Sequence, residues 1–259
     1  MKSAQEIYNE KLNRLKTAAS LGKPDRIPFA ALGNAFCARH MGVKMSEFAA
    51  NPELSGKTMI KSFTSLGDID ANQVQMFYPP VLSMIWLSRV KLPGVHLPED
   101  AMWQVDEAEL MKPEEYDTII NKGYNAFFNE FQATRLDNVV DKIVNVMLPY
   151  AAQGIKDHAD AGIVVLAPFN FTTPFENFCG ARSMAKFMQD LFRMPDKVQA
   201  AMDAAMPDIL DNIRRELRQT KPIGAWCGGW RSASNFVSPR LWQRFVWPYY
   251  KRIVETVVE

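Results

Sequence analysis

The sequence predicts an α/β fold in which parallel strands alternate with covering helices. Three observations predict it. Short apolar runs bounded by turn residues recur between long helical patterns, as βαβ units require. The clearest run, residues 162–168 (GIVVLAP), is β-branched and apolar on both faces, which suits a central parallel strand covered on both sides. Helix starts repeat one signature, a capping side chain followed by proline, at Asn51-Pro52 and Ser238-Pro239.

The elements follow in order. Residues 3–20 form an amphipathic helix, with Ile7, Leu12, Leu15 and Ala18 on one face and Gly22 and Pro24 ending it. A first strand is expected at 27–32. The helix opened by Asn51 has an acidic first turn at Glu53 and a stop at Gly67. A second strand is expected at 72–78, ended by Pro79-Pro80. Residues 81–111 read as an insertion: a short apolar helix, a Pro93-Gly94 turn and a small strand at 102–105. Helical patterns resume at Pro113 and run, with breaks, to about Ala159. After the third strand at 163–168 come helices at 183–193 and 195–219, the second carrying Pro207, which should kink it. A fourth strand at 223–227 precedes the helix opened by Ser238. The whole reads as one domain over 1–259, containing four βα units.

Composition narrows the function. The chain has 259 residues, 47% of them hydrophobic, enough for a sizeable core. A net charge of +1 gives no electrostatic case for nucleic acid or an anionic membrane. The first residues, MKSAQEIYNEKLNRLK, carry charge throughout and do not form a secretory signal. No apolar run approaches the length of a membrane span. Cys37, Cys179 and Cys227 are scattered and odd in number, so reduced thiols in a cytoplasmic protein are expected.

Three stretches carry a resemblance. They are KPDRIPF at 23–29, GIVVLAPFNFTTPFENFCG with the later MPDKV turn, and FVSPRLWQRFVWPYYKRI at 236–253. Together they resemble the uroporphyrinogen decarboxylase superfamily, most specifically in the third stretch, where Ser-Pro, an aromatic and Phe-x-x-Pro-Tyr are spaced as in that group. The resemblance implies a (β/α)8 TIM barrel, here with an N-terminal helix, an inserted segment after the second strand and the later units beyond Glu259. It implies either a methyltransferase component moving a methyl group to or from a corrinoid protein, or a decarboxylase acting on a tetrapyrrole. A non-catalytic truncated binding subunit is the rival from another class. Zinc and a corrinoid-binding protein are the cofactor and partner that the resemblance implies, with the zinc-ligand region placed beyond this chain. A homo-oligomer is also compatible with it.

The departures favour methyl transfer. Where the decarboxylases carry Arg-Gln-Ala-Gly-Arg after the first strand, this chain has GNAFCARHMG, with Arg39 alone. The aspartate that contacts pyrrole nitrogens in those enzymes falls at Phe77 or Tyr78, and their tyrosine after the third strand falls near Phe175. An octacarboxylate would meet too few cations.

In a (β/α)8 barrel the strand C-termini and the loops after them build the site. That rule selects Asn34, Tyr78, Asn170, Trp226 and Cys227 as substrate-binding residues. Position favours Asn34 and Asn170 as pocket residues, with plain turn residues as the alternative, and Cys227 reads equally as a small buried apolar side chain. None is a general acid or base, so catalytic residues are not assigned. Cys37 and His40, three apart, lack the partners that zinc needs, and no metal site is expected. His96 and His158 read as solvated, as do Asp68 and Asp70. Met76, Met84, Met102 and Met111 read as core filling.

Overall fold

The computed structural model describes residues 2–259. Its first helix, Ala4–Ala19, is fixed at its start by a capping box: Ser3 Oγ accepts from Glu6 N and Glu6 returns a carboxylate to Ser3 N at 2.7 Å. The inward face is the expected one: Ile7, Leu12, Leu15 and Ala18 are half-buried, and Lys11 and Arg14 beside them are buried further, because this face also meets a carboxylate cluster. Lys11 Nζ donates to Ile69 O at 2.8 Å, and Arg14 pairs with Asp25 and Asp70.

Asp70 is correspondingly fully buried, not solvated. It also pairs with Arg26 at 2.7 Å and accepts from Phe29 N at 2.7 Å. Asp68 remains exposed, bridging Arg26 and Lys11. This network ties the first helix to the entry of the first two strands.

Short ladders replace the longer strands that periodicity predicts. β1 (Ala30–Ala31) pairs in parallel with β2 (Ala71–Asn72). Past β2, Gln73 N still donates to Ala31 O at 3.2 Å, and the Asn72 side-chain amide donates to Val74 O at 2.7 Å in place of a ladder partner. Residues 73–78 run as irregular backbone. The inserted segment holds an antiparallel hairpin of β3 (Val90–Lys91) and β4 (Gln104–Val105). Between them Gly94 adopts the left-handed conformation, at φ 74°, where a Cβ would also strike Ser46.

β5 (Val164–Val165) pairs in parallel with β2, and β6 (Asn170–Phe171) pairs in parallel with β7 (Trp226–Cys227). Leu166 N bonds Asn72 O at 2.9 Å and Ala167 N bonds Gln73 O at 2.9 Å beside β5, and Trp226 N bonds Phe169 O at 2.8 Å beside β6. The parallel strands form two sheets, β1-β2-β5 and β6-β7, and no barrel is closed. The fold is α/β and mostly helical, with few and short strands.

The helices begin where the cap signals place them. Asn51 Oδ1 accepts from Leu54 N to open Pro52–Ser65, and Ser238 Oγ accepts from Leu241 N to open Pro239–Phe245. Met184–Arg193 and Pro195–Thr220 follow the third run, and the second continues through Pro207. Two apolar clusters form. The smaller joins Ala31, Cys37, Phe48, Met59 and Ile163 around the first strands. The larger gathers Phe131, Phe175, Phe178, Phe187, Met206 and Phe245 from the inserted and later helices. Met76 and Met111 are buried as expected, whereas Met102 is half exposed.

Among the described residues no helix is long and apolar enough to cross a membrane.

Candidate functional site

The C-terminal ends of β6 and β7 carry the densest group of aromatic and polar side chains near the sheet. Asn170 lies directly opposite Trp226 in the ladder, and Phe171 opposite Cys227. Asn170 Oδ1 accepts from Gln73 Nε2 at 3.2 Å, which ties it to the end of β2. Thr172 Oγ1 donates to Gly228 O at 2.9 Å, and Tyr250 Oη donates to Cys227 O at 3.0 Å.

The loop after β7 then builds an aromatic wall. Trp226 stacks on Trp230 with ring centres 4.6 Å apart, and Trp230 meets Trp86 edge-on at 4.9 Å. The Arg231 guanidinium lies over the Trp86 ring, 5.8 Å from its centre. Gly228 is needed for this packing, since a Cβ there would come within 2.5 Å of the Trp226 ring.

A buried carboxylate holds the loop in place. Glu176, fully buried in the helix Pro174–Arg182, accepts from Arg231 N at 2.9 Å, Ser232 N at 2.9 Å and Ser232 Oγ at 2.8 Å. Gly229 passes so close to it that a Cβ would lie 2.6 Å from Glu176 Oε1. Arg231 Nη2 pairs with Glu107. Arg231 Nη1, Trp86 Nε1 and Thr173 Oγ1 are buried without a hydrogen-bond partner. Such groups carry a cost unless an acceptor or a water reaches them.

The structure brings Asn170, Trp226 and Cys227 together. It places the other two selected residues elsewhere. Asn34 opens the short helix Asn34–His40, half-buried, with Oδ1 unpartnered. Tyr78 is buried just before the turn Pro79–Val81, and burial pushes its hydroxyl pKa up. Among the described residues no hydrogen bond or ring contact joins Asn34 or Tyr78 to the other three. The Cys227 thiol is pushed up to about 11 by burial, so it is protonated at neutral pH.

Sequence reasoning missed Trp86, Glu176 and Arg231. Trp86 sits in the inserted segment, 144 positions from Trp230 by their numbers, and nothing local links the two. Glu176 did carry a signal, as the lone acid in the apolar stretch PFENFCG.

Other polar groups behave differently from expectation. His158 is fully buried, not solvated. Its Nδ1 faces Gly154 O at 2.8 Å and its Nε2 faces Asn72 Nδ2 at 3.2 Å. Nδ1 therefore carries the proton and Nε2 accepts. Burial holds its pKa below the usual value, and a second ring proton would oppose the Asn72 amide. Cys37 is buried within a helix, while His40 is exposed and shares a hydrogen bond with Ser62 Oγ at 2.9 Å. His96 is exposed, its Nδ1 accepting from Leu92 N.

A cleft of about 500 Å³ opens beside the hairpin, lined among others by Arg89, Lys91, His96, Asp106 and Lys142. None of the five selected residues lines it. Lys91 is paired with Asp106 at 2.8 Å there. Among the described residues no three His, Cys, Asp or Glu side chains stand close enough to hold a metal ion.

The arrangement at the strand ends sets three tryptophan rings beside two buried N–H groups that lack a partner. It contains no free acid or base, since Glu176 is engaged by the loop. No protein-family model, curated protein or solved structure matches the chain.

Proposed function

We propose that the chain is part of a (β/α)8 barrel of the uroporphyrinogen decarboxylase type and serves as a methyltransferase component. In this reading it holds a methylated aromatic at the ends of β6 and β7 and presents the methyl group to a corrinoid protein. The observation that carries it is the tryptophan wall of Trp86, Trp226 and Trp230 with two unpartnered donors beside it. An aromatic ring stacks on such a wall, and buried N–H groups favour an oxygen on that ring.

Arg231 tips the choice of ligand. Its guanidinium next to the wall favours a neutral or acidic aromatic over a methylated ammonium. Transfer leaves the ring oxygen with the electron pair of the broken C–O bond. Trp86 Nε1–H and Arg231 Nη1–H, buried and without a partner, would serve as donors to that oxygen once the ligand displaces the side chains that cover them. Among the described residues, no three His, Cys, Asp or Glu side chains stand close enough to hold zinc.

The test is direct. A methoxybenzoate should quench tryptophan fluorescence, and with cob(I)alamin it should yield methylcob(III)alamin, followed by absorbance. Trp230→Ala should lower both by at least tenfold, about 1.4 kcal/mol or more. Absence of both signals in the unmodified protein rejects the reading. With Arg39 exposed and alone after β1, uroporphyrinogen should give no coproporphyrinogen at enzymatic turnover. Its formation would establish the decarboxylase alternative.

A further inference from the structure

The cleft beside the hairpin shares no lining residue with the tryptophan wall and has a chemistry of its own. One side comes from the inserted segment, through Ser83 and residues 89–92. The other comes from the junction of the helices Tyr124–Arg135 and Val139–Lys142. Its volume of about 500 Å³ suits a small organic molecule.

The charges in the cleft do not cancel. Lys91 is taken up by Asp106 at 2.8 Å, but Lys142 stands 4.0 Å from Asp137, at the limit of an ion pair. Arg89 pairs with no carboxylate among the described residues. Its Nε donates to Arg135 O at 3.0 Å, which fixes the guanidinium plane and leaves both terminal nitrogens without a protein partner. A planar fork held in this way is the geometry that takes a carboxylate. Arg89, Lys91 and Lys142 against Asp106 and Asp137 leave one positive charge, with His96 counted as neutral.

Two further donors are available. Ser83 is 6% exposed and lines the cleft, yet among the described residues no hydrogen bond reaches its hydroxyl. A polar group buried in protein and open only to a cleft is satisfied by what enters it. His96 Nδ1 accepts from Leu92 N at 3.1 Å, so the proton of the neutral ring sits on Nε2. Leu92, Leu136 and Val139 supply apolar wall, and no Phe, Tyr or Trp lines the cleft.

The backbone is strained at the same place. Asp137 and Asn138 are both left-handed, each at φ 52°, a conformation costly for residues with a Cβ. Directly after Lys142 the helix widens into a π-helical turn, Ile143–Met147. Both features gather at ligand sites, where the surrounding structure holds them.

We propose that this cleft binds an aliphatic monocarboxylic acid, its carboxylate on Arg89 and Lys142 and its chain along Leu92, Leu136 and Val139. The single excess charge fits a monoanion better than a phosphate dianion. Walls without flat rings fit an aliphatic chain. The inference depends on neither methyl transfer nor a barrel.

The experiment is a titration of the 259-residue protein with hexanoate, followed by amide NMR shifts, which should move at residues 89–92 and 136–142. A dissociation constant of about 1 mM is expected from the affinity per atom that small ligands reach. Arg89→Gln and, separately, Lys142→Gln should weaken binding at least tenfold. Lys142 is exposed, so its variant keeps the fold even where loss of the Arg89–Arg135 bond does not. Asp137→Asn removes an opposing charge and tolerates the left-handed backbone, and should strengthen binding about threefold. Hexan-1-ol lacks the charge and acetate lacks the chain, and each should bind at least tenfold more weakly. Trp230→Ala should leave hexanoate binding unchanged. No shifts at about ten times the expected constant overturn the proposal. So do hexan-1-ol bound as tightly as hexanoate, butyl phosphate bound more tightly, or binding indifferent to Lys142→Gln. Shifts confined to the tryptophan wall, or lost in Trp230→Ala, also overturn it and leave the ligand reading of that wall standing.

Discussion

Asp70 receives Arg14, Arg26 and the Phe29 amide while wholly buried. Burial by itself would raise its pKa. The amide and the two guanidinium groups outweigh burial and hold the carboxyl below the ordinary 3.8. The stability it contributes is full above that value and is lost as pH falls below it. Asp70→Ala should cost about 3 kcal/mol near neutral pH, since it leaves two arginines short of a buried partner. Denaturant titrations from pH 5 to pH 3 should show the variant losing less stability than the parent. His158 acts at a higher pH by the same sign. Its lowered pKa supplies stability above 6.5 that fades as pH falls, so His158→Gln should flatten the stability profile between pH 6.5 and 5. Neither role was legible in the sequence. Asp70 meets a cation 56 positions away and another 44 away, and a DxD pair alone does not say which carboxylate is buried.

Helix starts were legible because capping is local: Asn51 and Ser238 sit within three residues of the amides they accept from. Strand lengths were not. The apolar pattern at 72–78 persists after the ladder ends, since most of these residues stay buried while Val74 O takes its hydrogen bond from the Asn72 side chain instead of a strand. Close helix contact was equally hidden. The helix Pro174–Arg182 crosses Leu82–Trp86 at Gly180, where a Cβ would lie 1.6 Å from Trp86 O and 2.6 Å from Arg231 Nη1. Gly180→Ala should therefore force the two helices apart and cost about 3 kcal/mol, at the upper end for overpacking. It should also displace Trp86 from Trp230. Thermal melts and near-ultraviolet circular dichroism of the tryptophans check both effects. A variant with an unchanged melt would mean that the helices separate freely.

At the scale of the whole molecule, the parallel pairing of β1 with β2, β2 with β5 and β6 with β7 was legible, because alternating apolar runs and capped helices leave few arrangements. The division into two sheets was not, since no local pattern says where one ladder ends and the next begins. Of the five residues selected by position, the three on β6 and β7 share a ladder, while Asn34 and Tyr78 lie beside other elements.

The hold of Glu176 on the loop after β7 has a consequence for proton exchange with solvent. Arg231 and Ser232 lie outside any helix or strand, yet their amides are bonded to a buried carboxylate. In deuterated buffer these two amides should exchange as slowly as those of a packed helix, while Gly229 and Trp230 beside them exchange quickly. Glu176→Gln, with one acceptor oxygen in place of two, should release that protection first, loosening the tryptophan wall from its rigid support.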